Sequence, residues 1–487
     1  MDERCGRSPS AATLARMANP PQPPAPSPSS PSPSSPSPSS PHDRSAGGGP
    51  PAVLRVSDPR ELLALVPHQL GFTPRRSVVL VCLRGERRRV GLVVRADLPV
   101  VDERERRLLA ARRVEADVVD RLGAVVDRLV ALAVRDGAAA VVAVVYDDPS
   151  APGAAAPDAA SPGWRATDPL LPGAAASGED ARDTSVAGLV EALLGAACAT
   201  AGVALADAWW VDGLRFRSLG CREERCCPAA GEPLEALDGT VVAAEMVSRG
   251  SSPAGARESL LDDLRPAGAE ARRDAARSAA SARRRARRAA GEPHRVARVR
   301  AEALAGLRAA AEVERLAHLA REEGGRGRGA DELHDPALLG RLAAALRDPW
   351  VRDALLVSLV PGAGDLPEQL VLTGPDERAE ALLETVVGEP GGAREPDPAL
   401  LEPTCAVLAA VVRHLPGAAG ADALAALAWA AWWSGDGARA VSCAERALEA
   451  RAGTPMAELV LDLVDAGAAP AWVRARRAAE VAGGTDG

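Results

Sequence analysis

The sequence predicts an α/β N-terminal unit, with a mixed, partly parallel sheet and flanking helices, followed by an all-α C-terminal region. Three observations predict it. First, Ser77–Leu83 (SVVLVCL) and Ala138–Tyr146 (AAAVVAVVY) are near-continuous apolar runs, the pattern of strands buried on both faces. Second, between them Leu109, Val114, Val118, Leu122, Val125, Val126, Leu129 and Leu132 recur mostly at spacings of three to five, which is a helical period. Third, from Ala256 onward only helical patterns occur.

The elements follow in order. Residues 1–50 are low in complexity, and Pro20 to Pro41 is almost entirely Pro and Ser. With nothing to bury, such a tail is expected to be disordered; a docking tail for a proline-binding module, or a gene start placed too early (Met17 is an alternative), competes with that reading. AVLRV (52–56) reads as a short strand. Asp58-Pro59 is a helix start, with Asp58 as N-cap and proline at the first helical position, and the helix runs toward Gly71. Ser77–Leu83 and Val90–Leu98 are strands joined by the charged turn 84–88, hence a hairpin. Asp102 to Asp136 reads as one long helix stopped by Gly137. The strand Ala138–Tyr146 after it implies a crossover and a partly parallel sheet. An Ala/Pro/Gly-rich insertion (149–182) precedes a helix from Thr184 to Ala201. Strands Ala204–Val211 and Leu214–Leu219 are separated by Asp212-Gly213, a hairpin turn signal. The α/β domain is thus placed at 51–255. A helical region at 256–395 holds helices 257–264, 267–290, 295–323 and 331–346, with the glycine-rich Gly324–Gly329 between the last two. A C-terminal helical hairpin or bundle occupies 396–487.

Composition excludes several chemistries. Among 487 residues there is no Lys and no Ile, one Asn (Asn19), one Tyr and two Phe. The scarce residues have AT-rich codons, so a GC-rich genome explains them, and Ala- or Arg-richness carries little structural weight. Without Lys there is no Walker A phosphate loop, no Lys Schiff base and no kinase-type phosphate-pairing Lys. A net charge of −8 argues against a generic polyanion binder. No apolar run approaches the ~20 residues of a membrane span, and MDERCGRSPS lacks the apolar core of a signal peptide. Eight cysteines in so long a chain do not make a disulfide framework. The expected location is the cytoplasm, with no membrane partner.

Four separated segments carry a resemblance: LRVSDPRELLALVPHQLGFTPRRSVVLV (54–81), VVRADLP (93–99), CREERCCPAAG (221–231) and AWAAWWSGDGARAVSCAERALEA (428–450). In order and spacing they resemble the actinobacterial family called domain of unknown function 4192, over about Leu54 to Ala479. The resemblance implies one contiguous family unit, with the Pro/Ser tail and the insertion outside it, and no activity. Within the last segment, Gly435-Asp436, Ala440 and Ala447-Leu448 look like the turn and second helix of a tetratricopeptide unit. An array needs about three such units, and one is found, so the hairpin is expected to pack on the rest of the chain.

Five candidates carry chemistry. Cys221, Cys226 and Cys227 offer soft ligands for zinc, or a redox thiol. Their C-x4-C-C spacing lacks the paired C-x2-C of zinc ribbons, and a fourth ligand such as His68 would have to come from elsewhere; buried structural thiols are the competing reading. Asp97, Asp147 and Asp148 follow strands. In open α/β sheets ligands gather beyond carboxyl ends of strands, so with Arg95 these acids could hold Mg²⁺ or act as general acid and base; otherwise they are turn and cap residues. His68 in VPHQLGF is a proton carrier by residue type, but stands outside any catalytic motif. Arg272 to Arg300 holds eleven Arg and no aromatic residue; the arginines fall all round a helix, so a solvated helix is favoured over nucleic-acid binding. Trp429, Trp432 and Trp433 share a helix face and suit core packing or a partner groove.

The reading is a cytoplasmic, non-enzymatic ligand- or protein-binding regulatory module, whose partner is an unknown protein or small molecule and not a nucleic acid. Its rivals are a metal-assisted hydrolase using Asp97, Asp147 and Asp148 with His68, and a fold stabilised by zinc on Cys221, Cys226 and Cys227.

Overall fold

The computed structural model describes residues 58–85, 88–146, 185–221, 223, 227–228, 230–322, 335–388 and 392–482. The expected tail (1–50), strand 52–56, insertion 149–182 and glycine-rich 324–329 lie outside the described residues.

Helix α1 (Pro59–Leu70) starts as the sequence requires: Asp58 accepts from the Arg60 amide, Glu61 returns a capping-box bond, and Gly71 closes it at φ 76°. Strands β1 (Ser77–Arg84) and β2 (Arg89–Asp97) form the antiparallel hairpin. The expected single helix over 102–136 is two: α2 (Glu103–Ala110) and α3 (Ala116–Arg135). Arg112 takes the left-handed conformation (φ 57°), and the amides of Arg112 and Arg113 bond back to Leu109 and Leu108 carbonyls. That is a Schellman termination made by an arginine where glycine is usual, so the apolar period runs straight through it. Strand β3 (Ala140–Tyr146), helix α4 (Val186–Ala201) and strand β4 (Ala204–Val211) follow, then β5 (Arg215–Ser218), the two-residue β6 (Glu232–Pro233) and α5 (Val241–Ser248).

The sheet order is β2-β1-β3-β4-β5-β6. Among the described strands only β3 and β4 are parallel neighbours, joined by the α4 crossover. β2 and β3 run the same way but are not adjacent, because β1 lies between them, antiparallel to both. Alternation along β1 explains the continuous apolar run. Val78, Leu80 and Cys82 face α2, α3 and α4 through Leu109, Val118, Leu122, Leu129 and Leu189. Val79, Val81 and Leu83 face α1 and α5 through Leu63, Val66 and Ala243. The sheet is therefore the middle of three layers.

After a 3₁₀ stretch (Arg257–Leu264), kinked at Leu261 where a regular helix was expected, come α6 (Ala269–Ala289), α7 (Pro293–Glu322), α8 (Pro336–Ala345), α9 (Pro349–Ser358), α10 (Leu366–Thr373), α11 (Glu377–Val387), α12 (Pro398–His414), α13 (Ala421–Trp433), α14 (Gly437–Ala450), α15 (Pro455–Asp465) and α16 (Ala471–Ala482). The Asp-Pro start recurs. Asp335, Asp348 and Asp397 each precede a proline and accept the amide of Ala337, Trp350 and Ala399, an N-cap worth about 1 kcal/mol each. The helices share one core, in which Trp432 and Trp433 are buried. Their indoles donate to the Ala468 and Arg394 carbonyls, so these tryptophans anchor the core. Helices α6 and α8 touch backbone to backbone: a Cβ on Gly340 would lie 2.1 Å from the Ala275 carbonyl oxygen.

Candidate functional site

The cysteine segment borders a hollow of about 660 Å³ beside β4 and β5, lined by Asp58, Arg60, Glu191, Asp207, Ser218, Cys221, Cys227 and Glu232 among others. Cys221 and Cys227 are half-buried. The Cys221 amide donates to Ser218 Oγ (3.1 Å) and the Cys227 amide to the Glu223 carbonyl (2.8 Å). Cys226 lies outside the described residues. Among the described residues no group of three or more His, Cys, Asp or Glu side chains is placed to hold a metal ion. His68 is not part of this hollow's lining: its Nδ1 bonds Ser251 Oγ at 2.9 Å, and burial pulls its pKa below the usual value.

The strand-end acids are partly placed. Asp97 and Tyr146 both stand opposite Ser77, the first residue of β1. The carboxyl ends of β2 and β3 therefore share one edge, two strand spacings or about 9–10 Å apart. Asp147 and Asp148 lie outside the described residues. Asp97 is 63 % exposed and pairs with Arg95, with Arg257 at 3.7 Å.

The basic stretch is spread over α6 and the start of α7. Arg277 pairs with Asp274, Arg285 and Arg298 with Glu302, and Arg300 with Asp348 while lying 3.9 Å from the Trp350 ring centroid. These four arginines are occupied within the fold.

Sequence reasoning missed the cleft where the sheet meets the C-terminal helices. Its volume is about 270 Å³. One wall is Leu92–Arg95, four consecutive residues from both faces of β2; as β2 is an edge strand, the cleft runs along the open side of the sheet. Leu132 of α3, Phe72, Trp432, Val441, Val464 and Val473 complete an apolar lining. Two helix starts reach it: Gly437 and Ala438 open α14, and Ala468 to Pro470 lead into α16. Helix N-termini carry partial positive charge.

The charged residues lining this cleft, among those described, are Arg95, Arg128, Arg257, Arg477 and Asp465. Arg128 meets Asp465 at 3.3 Å and Arg257 meets Glu445 at 2.8 Å. Arg477 reaches Asp136 at 3.5 Å; Asp136 is 4 % exposed and also takes Arg84 Nε (2.7 Å) and the Leu92 amide (3.1 Å). Asp136 thus ties the hairpin, α3 and α16 together beneath the cleft. Arg95 differs. It is 12 % exposed, and its guanidinium lies 5.4 Å from the Phe72 ring centroid. Nη2 pairs with Asp97, but Nε is buried with no hydrogen-bond partner. Leaving a buried donor unmade costs roughly 1–3 kcal/mol.

A family model described as "Domain of unknown function (DUF4192)" matches residues 59–471. The chain belongs to this family. The DUF4192 match spans the sheet and the helices through the first residue of α16, so most of the cleft lining falls within the family unit, while Val473 and Arg477 lie beyond it. No curated protein and no solved structure matches the chain.

Proposed function

We propose that this DUF4192 chain is a non-enzymatic ligand-binding module of the cytoplasm, and that the cleft between β2 and the C-terminal helices takes a small organic anion. One observation carries the reading: four arginines line a largely apolar cleft, and although each has a carboxylate neighbour, Arg95 keeps a buried Nε with no hydrogen-bond partner. A mostly apolar pocket with a few convergent polar groups is the usual form of a small-molecule site, and about 270 Å³ falls just below the ~300–1,000 Å³ range of drug-sized ligands. The ligand is accordingly a small metabolite. The α13–α14 pair, read as a tetratricopeptide-like hairpin of an actinobacterial protein, serves as one wall of the cleft instead of a peptide groove.

The test is thermal unfolding of the full chain against organic anions and their neutral amides. A ligand at a hundred times its Kd stabilises by about 2.7 kcal/mol. The anions raise Tm and the amides leave it unchanged; in Arg95→Met the anion effect disappears. Equal shifts from anions and amides, or shifts that survive Arg95→Met, contradict the reading.

A second reading, metal-assisted hydrolysis at the strand ends, draws support from the shared position of Asp97 and Tyr146 opposite Ser77. Phosphodiesters and esters offered with Mg²⁺ or Mn²⁺ test it, with Asp97→Asn as the control that abolishes turnover.

A further inference from the structure

Arg84 and Arg95 lie on adjacent strands and each pairs with an aspartate, but in different ways. Arg84 presents Nε and Nη2 together to the two oxygens of Asp136. That is the bidentate match of a guanidinium edge to a carboxylate. Arg95 has only Nη2 on Asp97, the same nitrogen also donating to the Arg75 carbonyl at 3.4 Å, and its buried Nε has no partner. Asp97 comes from two residues along the same strand and is mostly exposed. It occupies half of an edge that a whole carboxylate would fill.

We propose that the cleft ligand is an organic monocarboxylate, whose two oxygens complete the Arg95 edge by displacing Asp97, while its apolar body lies against Phe72 and Trp432. The inference rests on the anion-binding reading above and names the class of anion. A carboxylate exchanges one negative charge for another at Arg95, so the surrounding pairs, Arg257 with Glu445 and Arg128 with Asp465, need not rearrange. The N-terminus of α14, which could have held a phosphate, already has its Arg439 amide taken by Asp436 at 2.9 Å. Displaced Asp97 moves into solvent and keeps Arg257 as a neighbour.

The experiment is titration calorimetry of the full chain with straight-chain carboxylates from butanoate to decanoate, benzoate and phenylacetate, each beside its primary amide and the matching alkyl or aryl phosphate. Some carboxylates bind, their amides do not, and the phosphates bind more weakly. Asp97→Asn, an exposed substitution, removes the internal competitor and binds the carboxylate about tenfold tighter, the factor one charge-assisted hydrogen bond carries. Arg95→Met loses binding. Val441→Trp, which fills the cleft from a half-buried helix position, loses it too, with an unchanged circular dichroism spectrum showing that it folds. If Asp97→Asn leaves the affinity unchanged, or phosphates bind as tightly as carboxylates, while Val441→Trp still abolishes binding, carboxylate exchange is wrong and the anion cleft stands. If no anion binds, or binding persists in Val441→Trp, both fail.

Discussion

Near the β5–β6 side of the sheet, Asp58, Glu191, Asp207 and Glu232 surround a hollow with Arg60; along the β2 edge, four arginines line a cleft with Asp465. The two differ in the donor that each leaves unmet. In the acidic hollow Asp58 caps α1, Glu232 holds Arg60 at 2.8 Å, and Asp207 accepts the Ala208 amide and Ser218 Oγ. Asp58 and Asp207 bond groups close to them in sequence, whereas Glu232 and Arg60 lie 172 residues apart. In the basic cleft Arg128–Asp465 and Arg257–Glu445 likewise join distant parts of the chain, and Arg95 retains a buried donor with no hydrogen-bond partner. Trp209 Nε1 on the acidic hollow's lining is also buried without a partner, so what separates the two is the charge of the unmet donor: a neutral indole in the acidic hollow, a guanidinium in the basic cleft.

The largest effect separates the frame of the basic cleft from its ligand-facing groups. Asp136→Ala strands Arg84 beside a buried gap and removes a joint between β1, β2 and α16, so urea unfolding loses about 3–5 kcal/mol. Arg95→Met, by contrast, removes a guanidinium whose Nε has no partner. Its stability stays within about 1 kcal/mol of wild type in the same titration, while anion binding is lost. A loss as large as that of Asp136→Ala would make Arg95 a second frame residue and erase the distinction.

The thiols sharpen the contrast on the acidic side. Burial pushes Cys82 and Cys443 up to about 12 and Cys405 up to about 11, so near pH 8 they carry almost no thiolate, the reactive form. Among the described cysteines, peptide-mapped alkylation of the folded chain labels Cys221 and Cys227 first, and Cys82, Cys405 and Cys443 only on unfolding. Early labelling of Cys443 would contradict its place in the helical core.

The smallest effect is a pH dependence. Burial raises the Asp207 carboxyl above its ordinary 3.8. The folded state therefore prefers the protonated form; that stabilising contribution is present below the ordinary value and is lost as pH rises through the raised one. Asp207→Asn keeps an acceptor for Ser218 and is the more stable protein at neutral pH, and the difference closes as pH falls below about 4. A difference that persists in acid would mean packing, not ionisation, sets it.

What was legible in the sequence was local. β1 and β3 stand out because residues facing both layers are apolar, and α1 because Asp58-Pro59 carries its own cap. The break at Arg112 was not legible: an arginine in the left-handed region leaves no compositional mark, and Leu109 and Val118 keep the helical period across it. His68, Asp97 and the cysteines were singled out by residue type, and those described stand apart: His68 on Ser251, Asp97 on Arg95, Cys221 and Cys227 on another hollow. The cleft draws on 69–72, 92–95, 128–132, 257 and 432–477, segments brought together only by the docking of α3 and β2 on the C-terminal helices. Arg95 stands beside Asp97 in the sequence, but its unmet Nε depends on tertiary packing over Phe72, which no spacing encodes.

The central claim is that an organic anion binds along β2 and not beside β4 and β5. Hydrogen–deuterium exchange of the full chain, with and without the best-binding carboxylate, tests it most directly. The account predicts added protection over 92–95 and at the starts of α14 and α16, with 205–208 and 218–221 unchanged. Protection appearing at 205–208 and 218–221 instead, or nowhere, would contradict it.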